Sequence, residues 1–275
     1  MFNVKYYFWL IFSLGLTFST TGIRAEQATG WQFSLAAGHG KITTPLAGRR
    51  SISGHFIPGI SYYGERFYLE NTYLGYALIE RESGYIDLVG ELNDDGMFFE
   101  LDGVDKFGWW DALGLKLSDN TMPGTHYEDI ERNLSYMAGI SANYIVADTT
   151  FRLTVLQDIS GVHHGETQRL SMRRDFNVLQ QLTLRLSAMA ERKDQQLINY
   201  YYNLRPSELN NKPSWFTLPA VWSFGFGASL NYQLNQDWSL LAHWQHHQLD
   251  AIFQQNPLFK RRDYQSSFAG VRYIF

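Results

Sequence analysis

Few residues in this chain could carry chemistry, and their spacing argues against a catalytic role. Eight histidines stand at positions 39, 55, 126, 163, 164, 243, 246 and 247, and there is no cysteine. Without thiols there is no thiol nucleophile, no disulfide and no Cys-based metal site. A serine nucleophile needs a base within hydrogen-bond reach. On one strand face that means His-x-Ser, and none of the histidines has serine two positions on. A pair drawn from two different strands stays open. His243, His246 and His247 are grouped as metal ligands often are, but on a strand His246 points away from the other two. His163-His164, between Gly161 and Gly165, reads as a polar loop tip. Asp94, Asp95 and Glu100 sit by a turn signal but lack the regular oxygen spacing of a calcium loop. Tyr200-Tyr201-Tyr202 reads as loop packing. The expectation is a chain with no catalytic, cofactor-binding or metal-binding residue, and therefore not an enzyme.

Composition limits the class of protein. Aromatic residues make up 16% of the 275 residues, while charged residues make up only 18%, against about 25% in typical soluble proteins. Mean hydropathy is nevertheless mildly polar, at −0.27. A barrel whose strands alternate lipid-facing and water-facing residues gives both features at once. Lys5, the apolar run Tyr6 to Phe18 and the ending Ile23-Arg24-Ala25 have the layout of a secretory signal. The predicted division is a cleaved segment 1–25 followed by one domain, 26–275. The apolar run is too short to span a bilayer as a helix, and no later stretch of 18 or more apolar residues follows. The formal net charge is −4. Removing residues 1–25 makes it more negative, which argues against a nucleic-acid partner.

Period-2 alternation is the main structural signal. In the last strand Phe275, Tyr273, Val271 and Ala269 fall on one face, and Ile274, Arg272, Gly270 and Phe268 on the other. The same pattern recurs from Trp31 to Ala37, His55 to Tyr63, Phe67 to Leu78, Gly84 to Leu92, Leu134 to Tyr144, Phe151 to Val155, Gly165 to Arg174, Leu182 to Ala190, Trp222 to Tyr232 and Trp238 to Gln245. Pro58-Gly59 interrupts the second of these and predicts a bulge or an edge-like kink. A further strand is expected within 97–132, as Met97–Leu101 or as the alternation Leu113, Leu115, Leu117. Trp109-Trp110 lies between those two segments. Connections at about 249–263 and 191–218 are long, and those at about 234–236 and 175–177 are short. Long extracellular loops alternating with short periplasmic turns are the habit of outer-membrane barrels. The prediction is an all-β antiparallel up-and-down transmembrane barrel of about twelve strands.

Within that fold each face has an expected role. Trp222, Tyr232, Trp238 and Trp244 are expected in the aromatic girdles, Trp238 and Trp244 being about 20 Å apart along their strand. Charges at strand centres are costly against lipid, so Arg152, Arg169, Arg173, Arg185 and Arg272 are expected in the lumen, with Lys116 and Glu191. Gly270, Tyr273 and Phe275 fit the terminal signal read by the barrel-assembly machinery. That signal usually has a polar residue where Phe268 stands.

Three further segments carry a resemblance. Asp158-Ile159-Ser160-Gly161-Val162-His163-His164-Gly165 is similar to an Asp-x-Ser-Gly-x-x-x-Gly loop. Tyr201-Tyr202-Asn203-Leu204-Arg205-Pro206-Ser207-Glu208 resembles a Tyr-Tyr-Gly-Val-x-x-x-Glu segment, with Asn203 in place of glycine. Asn256-Pro257-Leu258 resembles Ser-Pro-Leu/Ile, with Asn in place of Ser. Together they resemble the MipA/OmpV family of Gram-negative outer-membrane proteins over most of 130–275 and, more loosely, Leu46 to Leu92. The resemblance implies a barrel of about twelve strands in the cell outer membrane, in contact with outer-membrane lipid and lipopolysaccharide. It also implies roles as a scaffold joining a murein lytic transglycosylase to a murein synthase, as a surface protein or adhesin, or as an osmolarity-related channel. It supplies no catalytic residue. A narrow diffusion channel and a lipid-modifying enzyme are the alternatives to a scaffold.

Overall fold

A computed structural model of the chain describes residues 29–49, 51–100, 130–205, 208 and 217–275. The expected signal segment, Trp109-Trp110, the 113–117 alternation and Lys116 lie outside the described residues. Twelve strands among them close into one antiparallel barrel. They are β1 (Gly30–Ile42), β2 (Ile52–Tyr63), β3 (Phe67–Glu70), β4 (Tyr73–Arg81), β5 (Gly84–Leu92), β6 (Tyr136–Val146), β7 (Thr149–Asp158), β8 (Glu166–Leu179), β9 (Leu182–Lys193), β10 (Val221–Gln233), β11 (Trp238–Gln248) and β12 (Asp263–Ile274). Each pairs with its chain neighbours, and β12 closes on β1 with Gly38 opposite Gly270. No helix of the described residues is long and apolar enough to cross a membrane. The strands cross instead, and closure gives each a paired neighbour on both sides, β2 meeting β3 over a short stretch only.

Alternation fixes the two faces. Phe224, Phe226, Leu170 and Leu153 are all more than half exposed on the outside. In the last strand Phe275 is 74% exposed and Phe268 only 2%. Phe268 points inward, packs with Ala36, Ile57 and Leu241, and lays its ring over Gly270. An apolar residue fits this inward position because its neighbours there are apolar too.

Twelve strands are reached by a different route from the one the alternation predicts. The expected strand Phe67 to Leu78 is two strands, folded back at Asn71-Thr72. Asn71 takes a φ of 54°, a conformation asparagine tolerates well. It also holds β2, donating from its N to the Ile60 carbonyl and accepting at Oδ1 from the Ile60 N, at 2.8 and 2.9 Å. β2 therefore pairs with β3 only from Ser61 to Tyr63. Ile60 directs its N–H and C=O toward β3, so Pro58, two residues earlier, presents its missing N–H to the same edge, beyond the last ladder pair. Proline is tolerated there and not inside a fully paired strand.

Of the expected strand Met97–Leu101, the described residues 97–100 are part of a helix, α1 (Asp94–Glu100). Asn93 Oδ1 accepts from Asp95 N at 2.9 Å, and Asp94 and Asp95 complement the first turn. Met97, Phe98 and Phe99 are all buried. Three consecutive buried residues carry no period, so the sequence could not tell helix from strand. A second helix, α2 (Gln195–Tyr202), starts at Asp194, whose side chain accepts from Leu197 N, and a 3-10 turn spans Ala251–Gln255. The expected turn at 175–177 falls later, since β8 runs on to Leu179.

Candidate functional site

The five long connections all lie at one end of the barrel, which in outer-membrane barrels is the extracellular end. Described residues of four of them pack together, and the β7–β8 loop is tied to these by hydrogen bonds. Phe98 and Phe99 of α1, Leu197, Ile198, Tyr201 and Tyr202 of α2, Phe253 of the 3-10 turn, Leu46, Leu204, Leu218 and Leu258 form one buried apolar cluster with Val89, Met137, Leu156 and Val221 of the wall. Tyr202 meets Phe253 edge-on and Phe259 tilted, with ring centroids 5.3 and 5.0 Å away. The outer mouth is filled by these side chains.

Polar groups key the connections to one another. Asp158, at the end of β7, accepts from Ser160 N and Oγ at 2.9 and 2.6 Å and from His163 N and His164 N at 2.7 and 2.8 Å. This closes the β7–β8 loop around one carboxylate. Gly161 and His164 take positive φ, 74° and 57°, as so tight a loop requires. His163 is not a loop tip: it is buried, 7% exposed. Its Nδ1 accepts from Gly165 N at 2.9 Å, so Nε2 carries the proton and donates to Ser135 Oγ at 2.9 Å. Ser135 can then donate to Tyr201 Oη at 3.1 Å, which donates to the Asn133 carbonyl at 3.0 Å. Burial lowers the His163 pKa, with Asp158 opposing, and the imidazole is neutral.

The other segments singled out in the sequence reach the same place. Tyr202 Oη donates to Asp95 of α1, which also receives Lys193 Nζ at 2.7 and 2.9 Å. Arg132, whose side chain is fully buried, grips Glu208 with two nitrogens at 2.6 and 3.0 Å. Asn203 adopts an ordinary φ of −88°, so the family's glycine is not required there. Asn256 Nδ2 donates to the Tyr202 carbonyl at 2.9 Å, and its Oδ1 accepts from Leu258 N. Arg49 of the β1–β2 loop donates to the carbonyls of Phe99 and Ile130. Sequence order hides this meeting, because its contacts join residues 50 to 107 positions apart.

Below these packed connections lies a small polar cavity, lined by Glu91, Asp94, Arg169, Glu191 and Lys193 among others. Arg169 bridges Glu91 and Glu191 at 2.9 and 2.8 Å. Asp94 faces the cavity rather than bulk water. Burial raises its pKa to about 7 despite the pull of Arg169. Further down the lumen Arg185 pairs with Asp175 at 2.7 Å, Arg152 donates to Asn143 at 2.6 Å, and Arg272 donates to Ser239 at 3.2 Å. Arg173 lies on the same inward face, opposite Thr150 and Ser187.

On the outside, Trp222, Trp238 and Trp244 are 48, 43 and 38% exposed, and Tyr232 is partly covered. Trp238 packs on Tyr273 at 4.8 Å, and Tyr273 on Phe275 at 4.9 Å. Strand tilt shortens the height between Trp238 and Trp244 to about 15 Å, whereas Trp222 and Tyr232 are about 25 Å apart in height.

One pair arises that no single-strand motif could reveal. Ser229 Oγ on β10 lies 2.9 Å from His243 Nδ1 on β11. Besides Ser229, the imidazole meets the amide of Gln245. His246 faces outward against Phe226 and Trp244, while His247 is buried and stacks on Tyr264. Among the described residues no group of three or more His, Cys, Asp or Glu side chains is placed to hold a metal ion.

Among solved structures the chain is similar to the NanC porin, with 12% identity and a TM-score of 0.41 over 89% of this chain and 99% of that one. It is also similar to the KdgM porin, with 11% identity and a TM-score of 0.38 over the same shares. Among known sequences it is 22% identical to the "Putative outer membrane protein YiaT" of Escherichia coli (strain K12), over 90% of this chain and 93% of that one. The pattern of the family described as MltA-interacting protein MipA matches residues 35–275. That match runs from β1 through the plug to β12, and the chain is an outer-membrane β-barrel belonging to the MipA family.

Proposed function

We propose that this barrel is a non-enzymatic scaffold or surface-interaction protein of the outer membrane. The observation that carries the reading is the packed outer mouth. Four connections converge on one buried cluster, and His163 keys the fifth to it through Ser135 and Tyr201, which joins their described parts as a single surface instead of leaving them as separate loops. A channel would keep that passage open. The family description names an interaction with MltA, so a murein lytic transglycosylase is the first partner to examine, with a murein synthase as the second.

Affinity capture from membranes with the full-length barrel tests the scaffold. Recovery of murein enzymes, and direct binding of a purified lytic transglycosylase, are the expected results. If neither binds, the scaffold reading is wrong. Planar-bilayer recording of the pure protein separates the channel: steady ohmic current would favour a pore over the closed barrel.

A further inference from the structure

The outer wall is not uniformly apolar at its extracellular end. On β10 the outward residues Trp222, Phe224 and Phe226 carry the apolar face to the end of the strand. Across β11, β12 and β1 the wall turns polar sooner. His246, Gln265, Ser267, His39 and Lys41 face outward there, with Lys41 opposite Ser267 and His246 opposite Gln265. Gln265 joins the strip laterally, 3.4 Å from both His246 Nδ1 and Trp244 Nε1. Directly above β12 come Lys260, Arg261 and Arg262, with Asp263 as the one acid among them.

These cations differ from those inside the barrel. Arg132, Arg169, Arg185 and Lys193 each hold a carboxylate. The side chains of Lys41, Arg261 and Arg262 make no hydrogen bond or ion pair with the described residues. A cation facing lipid is costly at depth and tolerable only near the interface. Trp244, paired with Ser267 within the strip, is the kind of side chain that marks that interface. Guanidinium groups suit phosphate oxygens in two-pronged geometry, and the imidazoles and Gln265 suit sugar hydroxyls. We propose that the outer face of β11, β12 and β1 at the extracellular rim binds the phosphorylated headgroup of an outer-leaflet glycolipid.

The test uses the full-length barrel in phosphatidylcholine vesicles titrated with lipopolysaccharide. The expected result is saturable binding that weakens at least tenfold in a K41Q/R261Q/R262Q variant and with dephosphorylated lipopolysaccharide. Arg174→Gln, outward at the opposite end of β8, should bind as the wild type does. Equal affinity for the triple variant would overturn the proposal, as would equal loss in Arg174→Gln. Complete competition by equimolar inorganic phosphate would show a free-anion site, and cross-linking of two copies through Lys41 would show a protein interface; either also overturns it. Should the triple variant fail to give heat-modifiable barrels, the single variants Lys41→Gln and Arg261→Gln, each expected to weaken binding severalfold, carry the same test.

Discussion

The imidazole of His163 donates to the Ser135 hydroxyl across 2.9 Å and so ties the β7–β8 loop to the segment entering β6. Through Ser135 the link continues to Tyr201 of α2. Three connections far apart in sequence share one hydrogen-bonded line. The plug is therefore a cooperative unit, and its parts should loosen together.

His163→Phe keeps the ring volume and removes both hydrogen bonds. It strands the Gly165 N–H and the Ser135 hydroxyl, at about 1–3 kcal/mol for each buried group left unpaired. The barrel should stay heat-modifiable while protease cleaves the loops faster; unchanged protection would contradict the link. The same residue sets an acid limit. Its folded pKa lies below the ordinary value of 6.5, chiefly through burial. Below that pH the loosened state gains a proton that the docked state refuses, so loop protection should fall as pH drops under 6.5.

Asp94 works in the opposite direction and in a higher window. Its folded pKa is raised to about 7 by burial, against about 3.9 for a free aspartate. Its docked, protonated form stabilises the plug fully below the unfolded value, and that contribution is lost as pH rises through 7. Wild-type loops should be more protease-sensitive at pH 8.5 than at pH 6.5. Asp94→Asn should flatten this difference, and a slope that persists in the variant would assign it to another group.

Arg132, whose side chain is fully buried, forms an ion pair with Glu208 in the plug. Glu208→Gln leaves a guanidinium with no exposed side chain facing a neutral amide. Loss of one partner of a buried pair costs about 3–5 kcal/mol. Loop protection should collapse in the single variant and recover in part in R132M/E208L. A double variant worse than the single would mean that the remaining Arg132 bonds, to the Glu131 and Asn203 carbonyls, matter more than the pair.

Closure of the barrel depends on Gly38 facing Gly270. A Cβ on Gly270 would stand 2.3 Å from the Ala37 carbonyl oxygen, and one on Gly38 2.1 Å from that of Ala269. Gly270→Val should reduce the yield of heat-modifiable protein by blocking the β1–β12 seam. Removing Phe275, which packs on Tyr273, should lower outer-membrane yield through recognition by the assembly machinery, with closure in vitro unaffected. Equal in vitro folding of Gly270→Val and wild type would refute the seam argument.

Much of the barrel is legible in the sequence because its strands meet two solvents. Lipid on one side and a polar lumen on the other write themselves as alternate residues, as from Trp222 to Tyr232. Alternation assigns Arg152, Arg169 and Arg185 to the inside without any knowledge of their partners. It fails where both faces are buried or a turn needs only one unusual residue. Met97, Phe98 and Phe99 are buried together, so α1 looked like a strand, and Asn71 folds back a segment that otherwise reads as continuous.

The tertiary structure alone decided the site. Asp95 finds Lys193 and Tyr202, Arg132 finds Glu208, and Asn256 finds Tyr202 only after closure brings five loop bases to one rim. These contacts have no period, because each loop supplies one or two residues to a surface made by the others. His163 illustrates the difference. It stands beside His164 and between two glycines, Gly161 and Gly165, the surroundings of an exposed tip, while its neighbours in space are Ser135, Tyr200 and Tyr201. The sequence determined which face of each strand meets lipid, since that depends on the chain's own alternation. Whether the mouth is open or shut depends on where the loops meet, and only the closed barrel fixes that.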